Sequence, residues 1–336
     1  MIIDMHTHYV PQKLADELRQ RDVPPFIFTK DNNSGGDSDW FQMPHGPLAF
    51  PDSFTDTTAR RDFMAGLSIN RQVLSFPGLF GLDSIAAAES YPLVQLFNDD
   101  VAQLAKDYPD QFSGLAALPM ADIDLAVQEY KRARDGLGLI GVILPNNCFV
   151  SEDHAQHLAP IFKAAQEIGG HIFIHPGRRP DEVPEIYQPL SPPFDDNVAE
   201  RLALRVQDQV SHCMVTLLFS DFLDAYPDIS LHVANMGGTL PYVIERMDNV
   251  TLTRTPEAPL PSSKVNRVHV DCSSLGPRSL ELAAAIFGTD RIVFGTDCPI
   301  FSTEQSLNAV ASANINDADR ELILSGNAEK LLAAYA

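Results

Sequence analysis

The chain has 336 residues, enough for one α/β barrel or two modest domains and far too many for a disulfide-stapled mini-protein. Hydrophobic residues make up 45% and charged residues 21%, which supplies a sizeable core and excludes a disordered chain. With 24 basic against 45 acidic residues, the formal charge is −21, so neither nucleic acid nor an anionic membrane surface is expected as a partner.

Eight short apolar or β-branched runs occur at 2–6, 72–76, 114–118, 140–144, 171–175, 229–235, 267–272 and 291–295. Between them lie stretches with apolar residues at helical spacing, at 92–108, 125–135, 154–168, 198–226, 240–248 and 278–287. Buried strands alternating with helices call for a parallel sheet covered on both faces, and eight units are the number that closes a (β/α)8 TIM barrel. An open doubly wound sheet is the alternative, weakened because no Gly-x-Gly-x-x-Gly turn follows the first run. The whole chain, 1–336, reads as a single barrel with a small insertion after the first strand at about 20–53. Residues 24–53 are rich in Pro, Gly, Asp and Asn around Trp40-Phe41 and are expected to lid the barrel mouth. A second long loop, 177–196, carries Pro180, Pro184, Pro189, Pro192 and Pro193 and follows the fifth run; Pro-Ser-Ser-Lys at 261–264 marks another. Cys148, Cys213, Cys272 and Cys298 are far apart with no Cys-x-x-Cys pair, which suits separate reduced thiols. No apolar run reaches membrane-spanning length and the N-terminus turns polar at Asp4, so a cytoplasmic protein is expected.

Asp4-Met5-His6-Thr7-His8 ends the first strand, and its i, i+2 spacing points both imidazoles to one side. That begins a site for a borderline cation such as zinc; one buried and one exposed histidine with separate roles is the alternative. His175 ends the fifth strand and Asp297 the eighth. Alone, they would read as a core histidine before a proline and a helix cap. In a closed barrel, however, the C-terminal ends of all strands open on one mouth, so His6, His8, His175 and Asp297 can surround one ion.

In order along the chain stand His-x-His, His175-Pro176, Gly237-Gly238-x-x-Pro241-Tyr242-x-x-x-Arg246 and Gly295-Thr296-Asp297-x-Pro299. This set resembles the amidohydrolase superfamily, and within it the branch of 2-amino-3-carboxymuconate-6-semialdehyde, γ-resorcylate and 5-carboxyvanillate decarboxylases. Similar stretches include 72–75, 97–100, 108–115, 118–120 and 219–228, so the resemblance spans nearly the whole chain. It implies one divalent ion per chain, Zn2+ or alternatively Mn2+, on His6, His8, His175 and Asp297, with Asp297 also shuttling a proton. Arg246 is implied as the anchor of a substrate carboxylate, with Arg60 or Arg61 as a second. Tyr187 and Phe194 are candidates for the aromatic residue after the fifth strand, and a homodimer is implied. The expected reaction is non-oxidative decarboxylation of a small aromatic or muconate-type carboxylate. Metal-dependent hydrolysis or hydration of a C–C, lactone or amide bond is the alternative, and a catalytically silent barrel the third reading.

One position departs from the pattern. Asn235 stands where the branch carries the histidine that activates water, and an amide cannot titrate. His232, three residues earlier, is expected on the opposite strand face and so to be a poor replacement. Asn235 is expected to donate a hydrogen bond to the bound substrate instead, which favours decarboxylation over hydrolysis.

Overall fold

The computed structural model describes residues 1–30, 37–43, 46–182 and 197–335. Strand β1 (Ile3–His8) leads into helix α1 (Gln12–Arg19), and three strands of the insertion follow: β2 (Phe26–Lys30), β3 (Ser38–Met43) and β4 (Gly46–Ala49). Barrel strands then alternate with helices: β5 (Arg71–Ser75), β6 (Phe112–Ala116), β7 (Gly141–Pro145), β8 (His171–His175), β9 (Ser230–Val233), β10 (His269–Asp271) and β11 (Ile292–Val293). The eight barrel strands lie parallel in the order β1-β5-β6-β7-β8-β9-β10-β11. Met5 N donates to Phe294 O at 2.9 Å and His8 N to Cys298 O at 2.7 Å, which ties the last strand back to the first. The sheet therefore curls into a barrel, and the open doubly wound alternative falls.

Strand alternation divides the apolar residues into two sets. Met5, Val73, Leu115, Ile143, Phe173 and Val293 fill the barrel interior, closed at one end by Ala328 and Leu332 of the last helix. Outward-facing residues such as Leu74, Val142, Leu144, Ile172 and Ile174 join a second core under the helices. Above this interior apolar plug the polar strand ends meet at the C-terminal mouth, while His171 and His232 pair inside the barrel at 2.6 Å.

The insertion is more ordered than its composition suggests, forming its own antiparallel sheet β2-β3-β4. Phe41, buried, packs with its ring centroid 4.2 Å from that of Phe80 in the loop after β5, which fastens this sheet to the rim of the mouth. The expected helix 92–108 begins earlier, at Ala87, with Pro92 inside it, and runs to Asp107. Residues 198–226 are helical only over Val198–Phe219, followed by a short turn of helix at Phe222–Ala225. Among the described residues no helix is long and apolar enough to cross a membrane. Tyr187, Phe194 and most of the loop 177–196 lie outside the described residues.

Candidate metal centre

Strand β1 runs two residues further than its apolar pattern, so both His6 and His8 project from it, while His175 ends β8 and Asp297 follows β11. All four are buried, and one donor atom from each lies within 4.8 Å of the others. His8 Nε2 is 3.1 Å from His175 Nε2 and 3.1 Å from Asp297 Oδ1; His6 Nε2 is 3.6 Å from the same oxygen. His6 Nε2 and Asp297 Oδ1 make no hydrogen bond despite complete burial, the condition of donor atoms whose partner is a cation.

Each imidazole is held from behind. His6 Nδ1 faces Asp271 Oδ2 at 2.9 Å, and His175 Nδ1 faces the Pro176 carbonyl at 2.8 Å. Both partners only accept, so each Nδ1 carries the proton. His8 Nδ1 is 3.1 Å from Ser75 Oγ, whose own proton goes to Thr7 O at 3.0 Å, so there too Nδ1 donates. Three Nε2 lone pairs are thereby aimed at one point, the arrangement by which outer partners orient metal-binding histidines.

Electrostatics agree with a cation site. Burial opposes a charge on His6, but the Asp271 and Asp297 carboxylates together outweigh it and raise its pKa to about 9. Burial, and then the neighbouring imidazoles, hold His8 and His175 well below the usual range. Asp297 is raised, chiefly by burial. Asp271 is also buried, yet His6 beside it and the hydrogen bonds to it hold its carboxyl well below the ordinary range. A divalent ion would take the place of the proton that His6 otherwise draws into the cluster.

The backbone reaches this geometry by local departures from the strand. Asp297 has φ +60°, Asn235 +57°, Met236 +53° and Ser274 +58°, four of the five left-handed non-glycine residues described. Such residues cluster where a site demands them. Gly295 lets the last strand close up: a Cβ there would fall 2.8 Å from His6 Cβ and 3.0 Å from Asp271 Cβ.

Asn235 is buried in this mouth, with its N–H donating to Asp271 Oδ1 at 3.1 Å. The left-handed turn at Asn235 overrides strand alternation, and the expected placing of His232 needs correction. His232 points into the barrel, its ring stacked on Phe173 at 4.1 Å, with Nε2 3.7 Å from Asp271 Oδ2. It lies beneath the same carboxylate that Asn235 caps. Arg60 is 5% exposed and spent on structure: it donates to His8 O at 2.6 Å, Ser53 O at 3.0 Å and Gln72 Oε1 at 3.1 Å. It steadies the strand end that carries His8. Arg61 is at the opposite end of the barrel, bonded to Gln111 Oε1 at 2.7 Å and stacked over Tyr108 at 4.0 Å. Arg246 lies in the helix Leu240–Arg254 and faces outward, lining a surface groove with Tyr242, Glu245 and Asn249. Within one chain it is not brought to the histidines.

Three contributors went unread in the sequence. Asp271 ends β10, and the strand-end reasoning applied to His175 and Asp297 would have found it. Ser75 ends β5 in the same way. Arg178 follows His175 by three residues; it is half-buried, and its Nε has no hydrogen-bond partner among the described residues. Glu182 beside it is already engaged by Asn147 Nδ2 at 3.0 Å and by Arg179 N at 2.8 Å.

A family model for amidohydrolases matches residues 3–333, and the chain belongs to that family. It is 27% identical over 184 residues to the 2-amino-3-carboxymuconate-6-semialdehyde decarboxylase of Dictyostelium discoideum, a match covering 54% of this chain and about half, 48%, of that protein. It is 29% identical over 254 residues to the γ-resorcylate decarboxylase of Polaromonas sp. strain JS666, covering 70% of this chain and 74% of that one. The crystal structure of a dihydroxybenzoic acid decarboxylase from Polaromonas sp. JS666, with bound manganese and the inhibitor 2-nitroresorcinol, superposes with a TM-score of 0.71. That likeness covers 100% of this chain and 97% of the other at 20% identity, and it shows a shared fold.

Proposed function

We propose that this protein is a metal-dependent, non-oxidative decarboxylase of a small aromatic or muconate-type carboxylate. His6, His8, His175 and Asp297 would hold one divalent ion, zinc or manganese, since three neutral imidazoles and a carboxylate suit either. The single observation that carries this reading is the convergence of three pre-oriented Nε2 atoms and Asp297 Oδ1 in a mouth where the sixth-strand position is an amide. The decarboxylases among the relatives support the same choice.

When bound, the ion would supply positive charge that draws electron density from a substrate oxygen. Asp297 delivers a proton to the carbon bearing the carboxylate; that carbon's C–C pair then returns to the ring or diene as carbon dioxide leaves. Asp297 afterwards regains a proton from solvent. Arg178, in the loop after β8 with its Nε free of hydrogen bonds among the described residues, offers the counter-charge for an anionic substrate in a chain at −21. Arg246 could serve as a carboxylate anchor only from a second copy of the chain, which the expected homodimer would provide.

Hydrolysis would use the same ligands but needs a general base. Asn235 cannot be one and His232 lies inside the barrel beneath Asp271, so that role would fall to Asp297, which decarboxylation uses as its proton donor. The test is carbon dioxide release from ortho-hydroxybenzoates and muconate semialdehydes by zinc- or manganese-loaded protein, beside a panel of esters, lactones and amides. Efficient hydrolysis with no carbon dioxide release would overturn the proposal.

A further inference from the structure

The hydrogen bonds around Asn235 ask more of one proton than it can give. Ser273 Oγ lies 2.6 Å from Asp271 Oδ1 and 2.9 Å from the Asn235 side-chain oxygen, with Ser274 Oγ a further 3.5 Å from that oxygen. The Ser273 hydroxyl thus faces two close acceptors and owns a single hydrogen.

Which acceptor receives it depends on which group can be turned over. Asp271 Oδ1 already takes the backbone N–H groups of Asn235 (3.1 Å) and Ser273 (3.0 Å), and Oδ2 faces His6 Nδ1. Backbone donors are fixed, so this carboxylate accepts at every contact. A hydroxyl 2.6 Å from a carboxylate oxygen makes a short charge-assisted bond, with the proton between the two atoms. Ser273 then has only a lone pair left for Asn235, and two oxygens 2.9 Å apart with no hydrogen between them repel. An amide escapes this conflict by a half-turn of its terminal bond, which exchanges oxygen and nitrogen without changing its shape.

We infer that the Asn235 amide stands with Nδ2 donating to Ser273 Oγ and Oδ1 turned to the mouth, so that Ser273 is a positioning residue that makes this position a hydrogen-bond acceptor. This reverses the donor role that the amide would otherwise be free to take. A ligand group meeting Asn235 must then be a donor, a hydroxyl or N–H, and a methoxy group in its place leaves the carbonyl unpaired. An imidazole at this position could change between donor and acceptor with pH; the locked amide cannot. The ligand class rests on the proposed function, whereas the polarity of the amide does not.

Neutron diffraction from perdeuterated protein reads the polarity directly. The expected result is two deuterons on the amide atom facing Ser273 and the Ser273 deuteron pointing to Asp271; amide deuterons facing the mouth would overturn the inference. Calorimetry with salicylate and 2-methoxybenzoate, at full zinc occupancy, reads its consequence. The preference for the hydroxylated ligand should fall about tenfold in Ser273→Ala, the worth of one hydrogen bond in a closed site, and be kept in Ser273→Thr. An unchanged preference in Ser273→Ala would remove the positioning role. Failure to release carbon dioxide from any substrate would defeat the proposed function while leaving the neutron result intact.

Discussion

Asp271→Asn exchanges one oxygen for an NH2 group and keeps the side chain's shape, yet it should cost the protein much of its hold on the ion. Two backbone N–H groups and the Ser273 hydroxyl end on Oδ1, at 3.1, 3.0 and 2.6 Å, so the amide oxygen of the variant must occupy that position. The NH2 group is then forced to the Oδ2 position, 2.9 Å from His6 Nδ1. Two donors would face each other unless His6 moves its proton to Nε2, the atom that should be offered to the cation. Removing the outer partner of a metal-binding histidine typically lowers affinity by about 10- to 100-fold, or roughly 1.4 to 2.7 kcal/mol. Competition for Zn2+ or Mn2+ against a fluorescent chelator at constant pH measures this. Wild-type affinity in Asp271→Asn would show that the carboxylate does not set the tautomer of His6, and the account of the pre-oriented site would fail with it.

Asp297→Asn should lower carbon dioxide release by about 10²- to 10⁴-fold, the usual share of a positioned proton donor, and unimpaired single-turnover release would refute that role. Arg60→Leu should cost about 3 kcal/mol in urea denaturation and weaken ion binding, because the carbonyl of His8 loses its anchor; Arg60→Lys should recover part of both. Stability that is unmoved in Arg60→Leu would contradict its structural role. Burial pushes Asp83 up to about 7, against 3.8 in the unfolded chain. A carboxyl raised in this way contributes its stability fully below the unfolded value and loses it as pH rises through the folded one. Asp83→Asn should therefore gain on wild type between about pH 4 and 7, by up to roughly 4 kcal/mol at pH 8, and a gap that does not widen with pH would refute this.

The barrel was legible because its signals are local. Each of the eight apolar runs contains or overlaps a strand, and burial on both faces of a parallel sheet is what makes such runs continuous. Their edges were less legible: β11 is reduced to Ile292–Val293, and β1 extends through His8. Those ends are decided by partners across the closure of the barrel, such as the bond from His8 N to Cys298 O. The insertion was recognised from its composition, but its sheet was not, because Phe26, Phe28 and Trp40 show their alternation only once β2 and β3 pair.

The candidate metal ligands were determined by the sequence together with one topological fact, that strand ends in a closed barrel share a mouth. Arg246 and Arg61 show the limit of that reasoning, since residues on helices or before strands are aimed by packing that no motif spacing records. Only the tertiary structure brought Asp271 behind His6, turned His232 into the barrel, and committed Arg60 to backbone carbonyls. The polarity of Asn235 lies furthest from the sequence, because it depends on the proton of Ser273, 38 residues away, and on the carboxylate that claims it. Hydrophobic periodicity is written along the chain, whereas donors and acceptors are matched between groups that meet only after the chain has folded.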